Sequence, residues 1–436
     1  MSTVRPHKKT LAVITVNLLL IAPLLLKVIP LPNFRLAGSS QSTNVPHISS
    51  AQWFEGSFQE ACNEYAKNNF GAHDWYVRSY NQLDFWLFNK ANARYVVVGK
   101  NNCLFESGYL DAYRGKDFVG EEKLKTQVIK MKELQRTMKS AGKLFLPIIA
   151  PSKASYYPEY IPKNYEYKLG PDNYSVFTKL LLDNNVQHID FSKWIVANKS
   201  ASKYPLYPLS GIHWSNYAAL LAFDSIARFT EHVLTCKLPQ LSIKSIHMSQ
   251  QLQYPDNDIA EGLNLLFPLK QKALAYADYV VRDLDSAKLN VITIADSFWW
   301  YIYSQALPQR TFKQHNFWYY NELIYPQSES TEKRVINSNY FEMLRKADVV
   351  IVLYSESNLH RYSDGAIDAC YEAYCKPNAF KEQVQKMKET ICADISWYNS
   401  VVEKAVAKRL TVDSMLTLDA IYMVKQAQKK RALRPS

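Results

Sequence analysis

Short apolar runs rich in β-branched residues alternate along this chain with longer stretches in which apolar residues recur every three or four positions. The short runs are "RYVVVG" (94–99), "KLFLPIIA" (143–150), "QHIDF" (187–191), "LNVITIAD" (289–296) and "ADVVIVLY" (347–354). The longer, helix-period stretches are clearest at "EEKLKTQVIKMKELQRTMKSA" (121–141) and "NYAALLAFDSIARFTEHVL" (216–234). Near-continuous apolar strands joined by amphipathic helices predict an α/β fold: a mainly parallel sheet with helices on both faces. No internal repeat and no glycine-rich phosphate loop interrupts the pattern. Residues 376–436 read as polar and helical, with 411–430 able to form an amphipathic helix; packing on the domain is its default reading, and contact with a partner or a membrane the alternative.

The pattern changes at the N-terminus. Leu11–Leu26 carries no charge, and Arg5, Lys8 and Lys9 precede it. At ~1.5 Å per residue this run falls short of a ~30 Å hydrocarbon core, but it spans if Lys27 snorkels and the segment extends to Leu31. The preceding positive residues place the N-terminus in the cytoplasm and the rest outside. A cleaved signal peptide is the rival, with "RLAGSS" (35–40) as a weak cleavage site. The expected organisation is a cytoplasmic tip and transmembrane signal-anchor over 1–32 and a linker over 33–52. The α/β domain then covers 53–375, and a mostly helical extension covers 376–436.

Composition narrows the function classes only a little. The chain has 436 residues, 47% of them hydrophobic, with a formal charge of +12. The excess charge sits partly at the two ends and otherwise thinly, with no aromatic-basic stripe, so nucleic acid is not an expected partner. Thirty tyrosines and nine tryptophans suit either a packed core or a surface that grips sugar rings. The six cysteines show neither a CxxC pair nor zinc-like spacing, so no metal is expected. Outside the cell, Cys370, Cys375 and Cys392 are close enough to form one local disulfide, and buried free thiols are the equal alternative.

Ligands bind parallel α/β sheets at the carboxyl ends of the strands. After "LNVITIA" comes Asp296-Ser297-Phe298. A serine on such a turn can present its hydroxyl above the sheet near backbone N–H groups; a helix cap accounts for it equally well. A serine nucleophile needs a base beside it. His213 enters a long helix from a proline-rich loop, where site residues tend to sit.

Six segments in order strengthen that pairing: "VVVGKNNCLFESGYLDAY" (96–113), "APSKASYYPEYIP" (150–162), "SGIHWS" (210–215), "YPDNDIAEGLNLLFPL" (254–269), "ADSFWW" (295–300) and "FWYYNELIYP" (317–326). Together, over residues 53–375, they resemble the SGNH-hydrolase-like proteins of the alginate O-acetyltransferase (AlgJ/AlgX) type. The resemblance implies an SGNH-like three-layer domain in which the histidine motif precedes the serine. It also implies an exported protein, anchored in the bacterial inner membrane with its bulk in the periplasm. Its implied activity is transfer of acetyl groups to hydroxyls of an exopolysaccharide, with a membrane-bound O-acyltransferase as supplier and no cofactor. A carbohydrate acetylesterase and an inactive polysaccharide-binding protein are the alternatives.

Carried over, Ser297 is the nucleophile and His213 the general base. The family's histidine motif reads Asp-x-His-Trp, whereas here Gly211 occupies the acid's place. Losing an acid's role costs roughly 10⁴ in turnover, about 5 kcal/mol of barrier. Three readings stay open. Asp258 or Asp190 supplies the acid from elsewhere; a backbone carbonyl or Ser210 orients a Ser–His dyad; or the protein only binds polysaccharide. Lys153, Asn321, Trp214 and Tyr320 are candidate oxyanion or substrate groups, with a surface lysine, a turn asparagine and core aromatics as their plain readings.

Overall fold

A computed structural model describes residues 6–26, 35–38, 45–69, 71–282, 287–328 and 332–432. Among the described residues ten strands form three sheets. β1 (Val96–Val98) and β2 (Leu104–Glu106) make a short antiparallel hairpin. The main sheet contains β3 (Leu144–Ala150), β4 (Ile189–Asp190), β7 (Asn290–Ala295), β8 (Gln314–Tyr319), β9 (Leu323–Tyr325) and β10 (Val349–Ser355), in the order β4-β3-β10-β7-β8-β9. Its first five strands run parallel, and β9 returns antiparallel to β8 at the edge. A separate antiparallel ribbon pairs β5 (Gln240–Ser249) with β6 (Leu274–Arg282).

The central strands explain why the apolar runs are continuous rather than alternating. Every residue of β3 and β10 is buried. Successive side chains enter opposite cores because a strand's side chains alternate faces. Phe145, Ile149, Val350, Val352 and Tyr354 join one core, while Leu146, Ile148, Ile351 and Leu353 join the other. On the first face the helix Glu121–Ser140 contributes Leu124, Val128, Met131, Leu134 and Met138, a stripe at helical spacing. Burial of each contributes roughly 1.5–3 kcal/mol. On the second face the helix Asn216–Leu234 contributes Ala219, Phe223, Ile226 and Ala227. The C-terminal helices pack on the first core through Phe380, Ile391, Val401, Leu416 and Ile421.

Two expectations about the strands are revised. The run "RYVVVG" does not enter the main sheet. Asn101 and Asn102 adopt positive φ and fold it back on Leu104–Glu106 after three residues. β8, β9 and the β5–β6 ribbon were absent from the expected strands, because aromatic and half-exposed residues replace aliphatic runs there. At the N-terminus, residues Pro6–Leu25 are helical, but among the described residues no helix is long and apolar enough to cross a membrane. The charge-free part of that helix reaches only about 22 Å at 1.5 Å per residue. The extension to Leu31, with most of the linker's first half, lies outside the described residues.

All six cysteines are described and all are unpaired. Cys370 is buried in the first core, and the Cys375 thiol lies 3.6 Å from the Thr137 hydroxyl.

Candidate active site

The parallel strands bring four carboxyl ends to one edge of the sheet: Ala150 of β3, Ala295 of β7, Tyr319 of β8 and Ser355 of β10. Immediately after β7 the chain turns through Asp296 and Ser297 into the helix Trp299–Ser304. Asp296 is fully buried and pins that turn. Its Oδ1 accepts the Phe298 N–H at 3.1 Å, and its Oδ2 accepts the Ser355 N–H at 2.7 Å and the Asn358 side-chain N–H at 2.9 Å. Asp296 is therefore committed to the frame, and Ser297 is left half-buried at the turn.

His213 reaches this serine from the loop before the helix Asn216–Leu234. Its Nε2 lies 2.9 Å from Ser297 Oγ, and its Nδ1 lies 3.1 Å from Asp258 Oδ2. Asp258 Oδ1 accepts the Ile212 N–H at 3.0 Å and the Ile259 N–H at 2.7 Å. The carboxylate is thus held by the backbone on one oxygen and faces the imidazole with the other. The His213 and Asp258 side chains are 13% and 18% exposed, so the ring meets solvent without being bathed in it. The Phe298 ring, T-shaped to the imidazole with centroids 4.9 Å apart, completes the wall.

Gly211 is what lets Asp258 arrive. A Cβ at position 211 would stand 2.5 Å from the Asp256 carbonyl oxygen and 2.9 Å from that of Pro255. The segment that delivers Asp258 occupies the space where a side chain at 211 would begin. An aspartate at 211 and this approach of 255–258 exclude each other.

The other candidates fall into place around this core. Asp190 caps the helix Phe191–Ala197 through the Lys193 N–H at 2.9 Å and accepts the Tyr174 hydroxyl, away from His213. The Ser210 hydroxyl donates to the Asp256 carbonyl at 3.2 Å rather than orienting the imidazole. Lys153 is fully buried and donates to the carbonyls of Leu209 and Gly211, each at 2.7 Å. It straps the histidine loop instead of facing a substrate, and burial pulls its ammonium down to about 8. The Asn321 side-chain N–H is occupied by the Asp364 carbonyl at 3.1 Å, and its residue sits at φ 55 in the β8–β9 turn. That bond commits one of the two side-chain N–H groups of Asn321 to the turn. Trp214, Trp299 and Trp318 are core residues, each no more than 1% exposed. Tyr320 stays at the site: its phenol interacts with Ser297, burial beside Asp296 pushes it well above its ordinary value, and the Arg361 guanidinium lies 4.6 Å over its ring.

Two carboxyl groups near the triad were missed from the sequence. Glu106, at the end of β2, is pushed up chiefly by burial and further by Asp258, with His213 and Lys153 opposing. Asp256 is buried, accepts the Tyr276 hydroxyl at 3.0 Å, and is pushed up to about 7 by burial. Both stand inside motifs quoted above, yet nothing in their spacing marks them as neighbours of His213. Among the described residues no group of three or more His, Cys, Asp or Glu side chains is placed to hold a metal ion. A shallow 510 Å³ depression lined by Arg228, Glu231, His232 and Lys237 lies at the far end of the helix that follows His213. That is about 28 Å from its start.

A serine at a strand end, a histidine beside it and an aspartate behind the histidine, on a parallel α/β sheet, describe a hydrolase-like acyl-transfer domain. Residues 96–282 match the family described as ALGX, the SGNH hydrolase-like domain of the acetyltransferase AlgX. Over that stretch the chain is similar to an SGNH hydrolase-like domain of an acetyltransferase. The match includes His213 and Asp258 and ends before Ser297. Among solved structures, the O-acetyltransferase domain of Pseudomonas putida AlgJ is similar at 16% identity and a TM-score of 0.43, covering 64% of this chain and 99% of that one. AlgX of Pseudomonas aeruginosa is similar at 13% identity and a TM-score of 0.41, covering 64% and 70%. Likenesses this loose carry no argument of their own. No curated protein matches the chain in sequence.

Proposed function

We propose that the protein transfers acetyl groups to hydroxyls of an exported polysaccharide through an acetyl-serine intermediate. The observation that carries this reading is the unbroken line Ser297 Oγ–His213 Nε2 and His213 Nδ1–Asp258 Oδ2, at 2.9 and 3.1 Å. His213 takes the Ser297 proton as Oγ attacks the acetyl carbonyl. The same proton goes to the leaving oxygen of the donor as its bond to the acetyl carbon breaks. A sugar hydroxyl then gives its proton to His213 and attacks the acetyl-serine, and that proton returns to Ser297 as the serine leaves. Asp258 holds the imidazole in the tautomer that this exchange needs.

The developing oxyanion requires a donor. With one Asn321 N–H committed to the Asp364 carbonyl, the Tyr320 phenol beside Ser297 is the side chain we assign to it. Burial keeps that phenol protonated, and therefore a donor, through the ordinary pH range. The acetyl donor is proposed to come from a membrane-bound O-acyltransferase, with the apolar N-terminal segment keeping the two together at the inner membrane.

The test compares wild type with Ser297→Ala and His213→Ala on an activated acetyl ester, then on transfer to an oligosaccharide. Loss of both activities in both variants is expected. Equal rates in all three proteins sink the assignment, and acetate release without transfer makes the enzyme an esterase.

A further inference from the structure

The helix His73–Phe88 is turned inside out. A surface helix normally buries its apolar stripe and shows its polar face to water. Here Asn81, Gln82 and Asp84 are buried alongside a single apolar residue of the last two turns, Phe85, while Leu83, Trp86, Leu87 and Phe88 are 53–70% exposed. Specific bonds fix this orientation. The Asn81 side chain donates to the carbonyls of Leu263 and Asn264 at 3.0 and 3.3 Å, and the Gln82 side-chain Oε1 accepts the Phe267 N–H at 2.9 Å. The Asp84 carboxylate accepts the Asn92 side-chain N–H at 2.9 Å. Rotating the helix to hide its apolar residues would strand all of these buried polar groups.

The exposed face continues onto the neighbouring segment. Phe267, itself exposed, stacks on Trp86 with centroids 5.6 Å apart and rings 13° from parallel. Contiguous apolar surface of this kind marks an interaction site.

What covers it is indicated by where the N-terminal chain is tied. The Arg78 guanidinium donates to the Arg35 carbonyl at 2.7 Å. The Ala37 N–H donates to the Asn264 side chain at 2.7 Å, and that side chain donates back to the Ala37 carbonyl at 3.1 Å. The chain emerging from the charge-free run Leu11–Leu26 is therefore fastened to the same helix and the same loop that build the patch. Tryptophan and its aromatic neighbours are the residues that favour the boundary between lipid and water.

We propose that Leu83, Trp86, Leu87, Phe88 and Phe267 form a membrane-surface contact that lays the domain on a lipid bilayer. The helix His73–Phe88 lies in the interface plane with this face toward the acyl chains. The proposal does not rest on the acetyl-transfer reading.

The full chain carrying Leu87→Cys tests it in vesicles of phosphatidylethanolamine and phosphatidylglycerol. A membrane-impermeant maleimide is added, and labelling is read peptide by peptide. Cys392 is exposed, on a helix packed against the opposite core, and serves as the internal reference. Cys103 and Cys370 are buried and report any unfolding. Labelling at the Leu87→Cys position is expected to be about tenfold slower than at Cys392, as for an interfacial helix buried to its apolar face. Adding Trp86→Glu with Phe88→Glu is expected to restore parity while hydrolysis of a soluble acetyl ester stays unchanged. Equal labelling at both thiols before that addition overturns the proposal. Protection found in native membranes but not in pure lipid vesicles overturns it too, and assigns the face to a protein.

Discussion

The two sides of the candidate triad are held by different kinds of structure. Ser297 stands two residues beyond a buried strand, and Asp296 locks its turn to the neighbouring strand end at Ser355. His213 and Asp258 come from loops 45 residues apart that meet only by packing. Gly211 provides the room and Lys153 the strap. The sheet alone therefore positions the nucleophile, whereas base and acid depend on one loop lying against another. Perturbations should accordingly be small and local on the serine side, and large and cooperative on the histidine side.

The strongest test removes the acid's charge while keeping its shape. Asp258→Asn is expected to lower kcat on an acetyl ester by roughly 10³–10⁴, by leaving His213 free to adopt the wrong tautomer. Adding Gly211→Asp, which recreates the family's motif, is expected to give no rescue, since its Cβ meets the Asp256 carbonyl at 2.5 Å. A kcat loss below tenfold for Asp258→Asn, or recovery in the double variant, would falsify the relocated acid.

Tyr320→Phe probes the serine side. Losing one oxyanion donor costs about 10²–10³ in kcat with KM little changed. A drop in affinity alone would make Tyr320 a substrate contact instead.

Gly211→Ala falls between the two sides. The added methyl forces 255–258 outward, so thermal unfolding should show a loss of roughly 1–3 kcal/mol, as overpacking usually does. Activity should fall with it, because Asp258 retreats from His213 along the same path. A destabilised variant with full turnover would separate the packing from the chemistry.

How much of this was legible in the sequence follows the same division. β3, β7 and β10 announced themselves as unbroken aliphatic runs, because both faces of each are buried, and Ser297 followed from the end of one of them. β8 carries the same burden with Phe317 and Trp318 on aromatic rather than aliphatic residues, and its run did not stand out. His213 was found through its loop and its motif. The acid was narrowed to Asp258 or Asp190, but the choice depends on a contact between loops whose separation along the chain fixes nothing about their distance. The same holds for Lys153, whose cation faces two carbonyls that no spacing rule connects to it.

Asp256 gives the histidine side a pH dependence. Its carboxyl is pushed up to about 7 from an ordinary 3.8, first by burial, with the Tyr276 hydroxyl opposing and Asp258 adding. A folded-state value above the unfolded one means that the folded protein holds the extra proton. Its contribution to stability is complete below about pH 4 and is lost as pH rises through about 7. Asp256→Asn should flatten the decline in melting temperature between pH 4 and 7, and a slope identical to wild type counts against the shifted acid.

Asn321→Gly is expected to have the smallest effect. The position needs φ 55, which glycine adopts without strain, and one side-chain N–H serves the Asp364 carbonyl. One lost hydrogen bond in a turn costs about 1 kcal/mol of stability. Turnover should stay within about threefold of wild type, far from the 10²–10³ that an oxyanion donor commands. A loss of that larger size would return Asn321 to the site and take the oxyanion role from Tyr320. The serine side would then owe its chemistry to a residue that the strand ends alone do not aim.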